Sequence, residues 1–146
     1  MTATAARLGH VHLKVRDLDR AIDFYADLLG LAVTERYVNF AFLSFGERHH
    51  DLALQALGES APGPGEGVGL YHTAWEVETP EALAATHDRL RERGVAVSPV
   101  DHGISKALYF DDPDGNGVEV YLDTRAENDR REWRGTNARF DPADLP

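Results

Sequence analysis

At 146 residues, with 42% hydrophobic and 27% charged side chains, the chain has ordinary globular composition and suits one domain or two small modules sharing a core. It contains no cysteine, which excludes disulfides, thiolate nucleophiles and cysteine-held zinc, so any metal must be held by histidine and carboxylate. The net charge of −10 argues against a nucleic-acid partner, whose phosphates such a surface repels.

No apolar run approaches the roughly eighteen residues of a membrane span, and the Ala/Thr-rich residues 1–7 lack the apolar core of a signal peptide. No membrane partner is expected, and the cytoplasm is the expected address. Leu8 to Val15 (LGHVHLKV) alternates, with Val11, Leu13 and Val15 on one side and His10, His12 and Lys14 on the other; this predicts a half-buried strand. Asp17 is placed to cap a helix whose apolar Leu18, Ile22, Tyr25 and Leu29 recur at helical spacing before Gly30. Strands are predicted over 31–38 and 40–45. Gly46-Glu47 turns into a fourth, His49 to Leu57, where His50, Leu52 and Leu54 alternate with Asp51, Ala53 and Gln55.

The Gly/Pro-rich stretch GESAPGPGEGVG, residues 58–69, reads as a linker. After it the same order returns. A strand is predicted over 70–77, and Thr79-Pro80-Glu81 supplies a cap, a first-turn proline and a first-turn acid for a helix ending at Gly94. Strands follow over 95–100, 106–110 and 118–122, the last two separated by the turn Asp112 to Gly117. His10 precedes Gly30 by 20 residues and His72 precedes Gly94 by 22, so the repeat keeps register. The predicted class is α+β, with two tandem βαβββ modules (1–57 and 70–122) joined by the linker. Residues 123–146 read as a mostly irregular tail with one short helix around Glu127 to Trp133. Trp133 stands in a polar stretch and is expected to dock on the domain or partly close a site.

Each module opens on a strand bearing a histidine at the same place, His10 and His72, and a pseudo-twofold would bring the two together. Glu119 lies between Val118 and Val120 and alternates to the face opposite them. Two imidazoles and a carboxylate with open positions is the facial arrangement suited to oxygen-activating Fe(II). The alternative is plain: a strand histidine is commonly a half-exposed polar residue, and a strand glutamate commonly faces water.

The stretch GHVHLKVRDLDRAIDFYADLLGL (Gly9 to Leu31) resembles the opening of vicinal-oxygen-chelate proteins, which include glyoxalase, fosfomycin and bleomycin resistance proteins and extradiol dioxygenases. HGISKALYFDDPDGNGVEVY (His102 to Tyr121) resembles the end of the catalytic domain of type I extradiol ring-cleaving dioxygenases. RHHDLAL (Arg48 to Leu54) is similar to the segment carrying their acid/base histidine. The resemblance implies a metal-holding cup with His10, His72 and Glu119 as ligands of Fe(II), or alternatively Mn(II). It implies His50 as acid/base and Tyr109 as the hydroxyl that holds a substrate oxygen. His102 lies near the family's substrate-orienting histidine, at a shorter interval from Tyr109.

Pocket walls are expected at His12, Ala74, Tyr121 and in the tail. The implied activity is extradiol cleavage of a small aromatic diol with dioxygen, by a homodimer. Two alternatives are a glyoxalase-like isomerase or lyase and a metal-free drug-binding resistance protein. The isomerases usually carry a further Glu ligand on the fourth strand, where this chain reads His-His-Asp-Leu-Ala-Leu-Gln. As bland readings, Tyr109 is sheet core, and His49 and His102 are turn residues.

Overall fold

In the structure, a computed structural model that describes residues 2–146, strand β1 (Val11–Val15) buries Leu13 and Val15 and exposes His12 and Lys14. That is the two-residue period the sequence predicts. Helix α1 (Leu18–Leu29) follows because the Asp17 carboxylate accepts from the Arg20 backbone N–H at 2.9 Å, while left-handed Gly30 closes the other end by donating to the Ala26 carbonyl. Such an N-cap stabilises a helix by about 1 kcal/mol. The face carrying Leu18, Ala21, Phe24, Tyr25 and Leu28 is buried.

Strands β2 (Ala32–Tyr37), β3 (Phe40–Ser44) and β4 (Leu52–Ala56) complete the first sheet in the order β1-β4-β3-β2. β4 pairs parallel to β1 and antiparallel to β3. Leu43, Leu52 and Leu54 are fully buried; each such side chain contributes about 1.5–3 kcal/mol.

β5 (Thr73–Val77), α2 (Pro80–Glu92), β6 (Ser98–Asp101), β7 (Ser105–Asp111) and β8 (Gly117–Asp123) repeat the βαβββ order. Thr79 caps α2 through the Ala82 N–H, Pro80 stands in the first turn, and Leu83, Thr86 and Leu90 are buried. β8 runs parallel to β5 and antiparallel to β7. The chain thus forms two compact units, Met1–Pro62 and Gly63–Pro146, each an α+β module on a mixed sheet. Among the described residues no helix is long and apolar enough to cross a membrane.

The strands that carry histidines are shorter than predicted. His10 and His72 each stand one residue before their strand, and His49 and His50 lie in a loop before β4. β6 starts late because the Val95 N–H still bonds to Leu90 at the end of α2.

The tail differs more. No helix forms around Glu127 to Trp133: Asp129 takes a left-handed conformation (φ 47°) that ends the turn begun at Thr124. Asn128 instead spends its side chain on the Gly103 carbonyl and the Thr124 hydroxyl. Strand β9 (Ala138–Arg139) then adds to β6, giving the second sheet the order β5-β8-β7-β6-β9.

Candidate functional site

In the second unit, the parallel register sets Glu119 beside Ala74, and the antiparallel register sets it beside Tyr109. A small neighbour on one side and a phenol on the other bury the carboxylate while leaving it a donor. Tyr109 donates its hydroxyl to Glu119 Oε1 at 3.1 Å, and Glu119 Oε2 lies 2.9 Å from His72 Nε2.

Gly117 makes the approach of His72 possible. A Cβ there would collide with the Tyr71 carbonyl and stand 3.2 Å from the His72 Cβ, so only glycine lets the lead into β5 lie so close to β8. Burial, then the Glu119 charge and its hydrogen bond, push the Tyr109 phenol well above its usual range. The row continues, because Tyr109 Oη is 2.7 Å from His102 Nε2.

The spacing of one pair, His72 and Glu119, is compatible with two ligands of a divalent metal. Ligands each about 2.1 Å from an ion and at right angles stand roughly 3 Å apart, close to the separation of His72 Nε2 and Glu119 Oε2. Among the described residues no group of three or more His, Asp or Glu side chains is placed to hold a metal; the pair brought together is His72 with Glu119.

A cavity of about 730 Å³ opens in this unit, with Tyr71, His72, His102, Tyr109, Trp133 and Asn137 among its walls. The tail therefore contributes, as expected for Trp133. Ala74 and Tyr121 are not among the lining residues; Tyr121 instead donates its hydroxyl to Glu76.

In the first unit His10 neighbours His50, with ring centroids 4.3 Å apart, and Phe42 lies 5.0 Å from the His50 ring. The loop is pinned there. Arg48 donates to the Gly9 carbonyl at 2.8 Å, the Ser44 hydroxyl to the Arg48 carbonyl, and the Asp51 N–H to the Leu43 carbonyl. Expected wall residue His12 is exposed and meets Gln55 at 3.1 Å.

His49 is more than a turn residue. Its Nε2 faces Glu35 Oε1 at 3.0 Å and its Nδ1 faces His50 Nδ1 at 2.9 Å. A carboxylate only accepts, so His49 carries its hydrogen on Nε2. In the neutral pair its bare Nδ1 then accepts from His50 Nδ1–H, leaving His50 Nε2 as a bare base. Burial first, then the neighbouring His10 and His49, lower the His50 pKa, against a smaller raising effect of Asp51. The HH dipeptide was a visible signal for His49; nothing in sequence marks Glu35 as its partner, 14 residues away.

Comparison with known proteins agrees with this frame. Residues 7–120 match the model of the Glyoxalase/Bleomycin resistance protein/Dioxygenase superfamily. The sequence is 33% identical over 129 residues to the catechol-2,3-dioxygenase of Bacillus subtilis (strain 168), covering 88% of this chain but 45% of that protein. It is 31% identical over 160 residues to biphenyl-2,3-diol 1,2-dioxygenase 2 of Rhodococcus globerulus, covering 100% of this chain and 82% of that one. The crystal structure of a glyoxylase/bleomycin resistance protein/dioxygenase domain from Frankia sp. EAN1pec superposes with a TM-score of 0.68 at 26% identity, over 82% of this chain and 93% of that chain. A matching family model over most of its length, and relatives above 30% identity, place this chain in the glyoxalase/bleomycin resistance protein/dioxygenase superfamily.

Proposed function

We propose that this protein cleaves the ring of a catechol-type substrate beside its diol, using dioxygen and Fe(II), with Mn(II) as the alternative, held by His10, His72 and Glu119. The observation that carries the proposal is the hydrogen-bonded row His72–Glu119–Tyr109–His102. It sets a hydroxyl and an imidazole next to two metal-ligating groups, which is machinery for orienting a hydroxylated substrate. When bound, the metal supplies a Lewis acid that lowers the pKa of the diol hydroxyls and activates dioxygen.

The chain's own residues do the rest. Tyr109 holds one diol oxygen by a hydrogen bond, and His102 holds Tyr109. Tyr71 and Trp133 offer aromatic faces to a planar ring in the cavity. His50 Nε2 takes a proton from the substrate and returns it as the ring opens, work suited to imidazole near neutral pH. Both atoms of dioxygen enter the semialdehyde product, so no external reductant is needed.

Ala53 weighs against the isomerase alternative. It occupies on β4 the register position that Glu119 holds on β8, so β4 has no carboxylate there to serve as a further ligand. The test is oxygen uptake by iron-loaded protein across a panel of simple and substituted catechols. Uptake of one dioxygen per ring with a yellow product is expected. Neither uptake nor colour with any member would overturn ring cleavage, and bound metal without turnover would favour the isomerase branch.

A further inference from the structure

The last segment of the chain is fastened around one histidine. β9 pairs with β6 immediately before His102, with Asp101 opposite Ala138. The Arg130 guanidinium packs against Gly103, whose φ of 81° lies in the left-handed region that favours glycine. Asn128 donates to the Gly103 carbonyl at 2.9 Å. The Trp133 indole N–H donates to the Thr136 carbonyl at 3.0 Å, and Arg130 reaches the Thr136 hydroxyl at 3.3 Å.

That braced Thr136 carbonyl lies 3.2 Å from His102 Nδ1, and Asn137 Oδ1 lies 2.8 Å from the same nitrogen. Both oxygens accept, so together they hold a hydrogen on Nδ1, and Asn137 makes the shorter and stronger of the two contacts. In the neutral ring Nε2 is then bare and faces the Tyr109 hydroxyl at 2.7 Å. The tyrosine has one hydrogen and two acceptors in reach, His102 Nε2 and Glu119 Oε1 at 3.1 Å. The shorter contact is the one the tail prepares.

We propose that Asn137, with the Trp133-braced carbonyl of Thr136, is a positioning residue that fixes the ring plane and tautomer of His102, so that its bare Nε2 stands beside Glu119 as a second acceptor for the Tyr109 hydroxyl hydrogen. The tail is thereby part of the site and not merely its cover. The tautomer rests on geometry alone; its consequence for turnover rests on the ring-cleavage reading above.

Long-range ¹H–¹⁵N spectra of the full chain, at a pH where the ring is neutral, read the tautomer without metal or substrate. Wild type should show His102 as a single Nδ1–H form. Asn137→Ala should convert it to a mixture, and Asn137→Asp, which keeps an acceptor, should restore it. If Asn137→Ala fails to fold, Trp133→Ala, which frees the Thr136 carbonyl, should give the same mixture. An Nε2–H form in wild type, or a tautomer unchanged in the soluble variant, would overturn the proposal.

With iron-loaded protein and catechol, Asn137→Ala should lower kcat by about two- to fivefold with little change in KM, no more than deletion of the Tyr109 hydroxyl through which it acts. Asn137→Asp should recover it. An unaltered kcat despite a mixed tautomer would also overturn the positioning role. A correct tautomer in a wild type that cleaves no catechol would instead remove the ring-cleavage reading and leave the assignment of His102 standing.

Discussion

In the parallel ladder of the first unit, His12 stands opposite Ala53; in that of the second, Ala74 stands opposite Glu119. Both ladders begin one residue after a histidine, His10 or His72. Both pair an alanine with a larger polar side chain, but the alanine changes strands. In the second unit the space beside Ala74 lets Glu119 reach His72 and Tyr109. In the first, the equivalent place on β4 has no carboxylate, and the polar chemistry moves to the loop before β4, where His49 and His50 line up with Glu35 of β2. The same backbone frame therefore offers the same positions twice, and the residue type at each position decides what that half can do.

Four substitutions sharpen the contrast, two of them described at the end. The largest kinetic effect is expected in the first unit. His50→Ala should lower kcat with catechol by about 100- to 10,000-fold, the range for removing a general acid/base, while iron content stays at the wild-type level. Single-turnover kinetics beside a metal assay checks both halves of that statement; a parallel loss of iron would show that His50 serves the metal instead.

Tyr109→Phe, in the second unit, should cost less. It deletes one hydrogen-bonding hydroxyl, worth about 1 kcal/mol, and so about a five- to tenfold loss in kcat/KM. Steady-state kinetics on the same catechol decides it, and a loss as large as that of His50→Ala would make Tyr109 a proton-transfer group in its own right.

What sequence reading could reach follows the range of the interaction concerned. α1 and α2 were legible because Asp17, Gly30, Thr79 and Pro80 act on backbone groups a few residues away. β7 and β8 were legible through the turn between them, and the ten-residue interval from Tyr109 to Glu119 becomes a direct cross-strand pair. The strand predicted over His49 to Leu57 ran too far toward its start, because side-chain bonds from Arg48 and Ser44 hold 45–51 as a loop despite its alternating pattern. The tail was misread for a related reason. The short helix expected around Glu127 to Trp133 is prevented by the Asn128 side-chain bonds and the left-handed Asp129, and the tail's strand, two residues long, pairs with the edge that β6 offers. Glu35 and Asn137 had no local signature at all; each matters through a partner 14 or 35 residues distant.

The central proposal is that His10, His72 and Glu119 hold one divalent metal. Metal content after anaerobic purification and reconstitution with Fe(II) tests it most directly, with wild type, His10→Ala and Glu119→Ala compared at matched folding by circular dichroism. The account predicts one iron per wild-type chain and loss of that iron from either variant with the fold retained, since a catalytic metal adds little to folding of an already packed core. Wild-type iron content in folded His10→Ala or Glu119→Ala would contradict it.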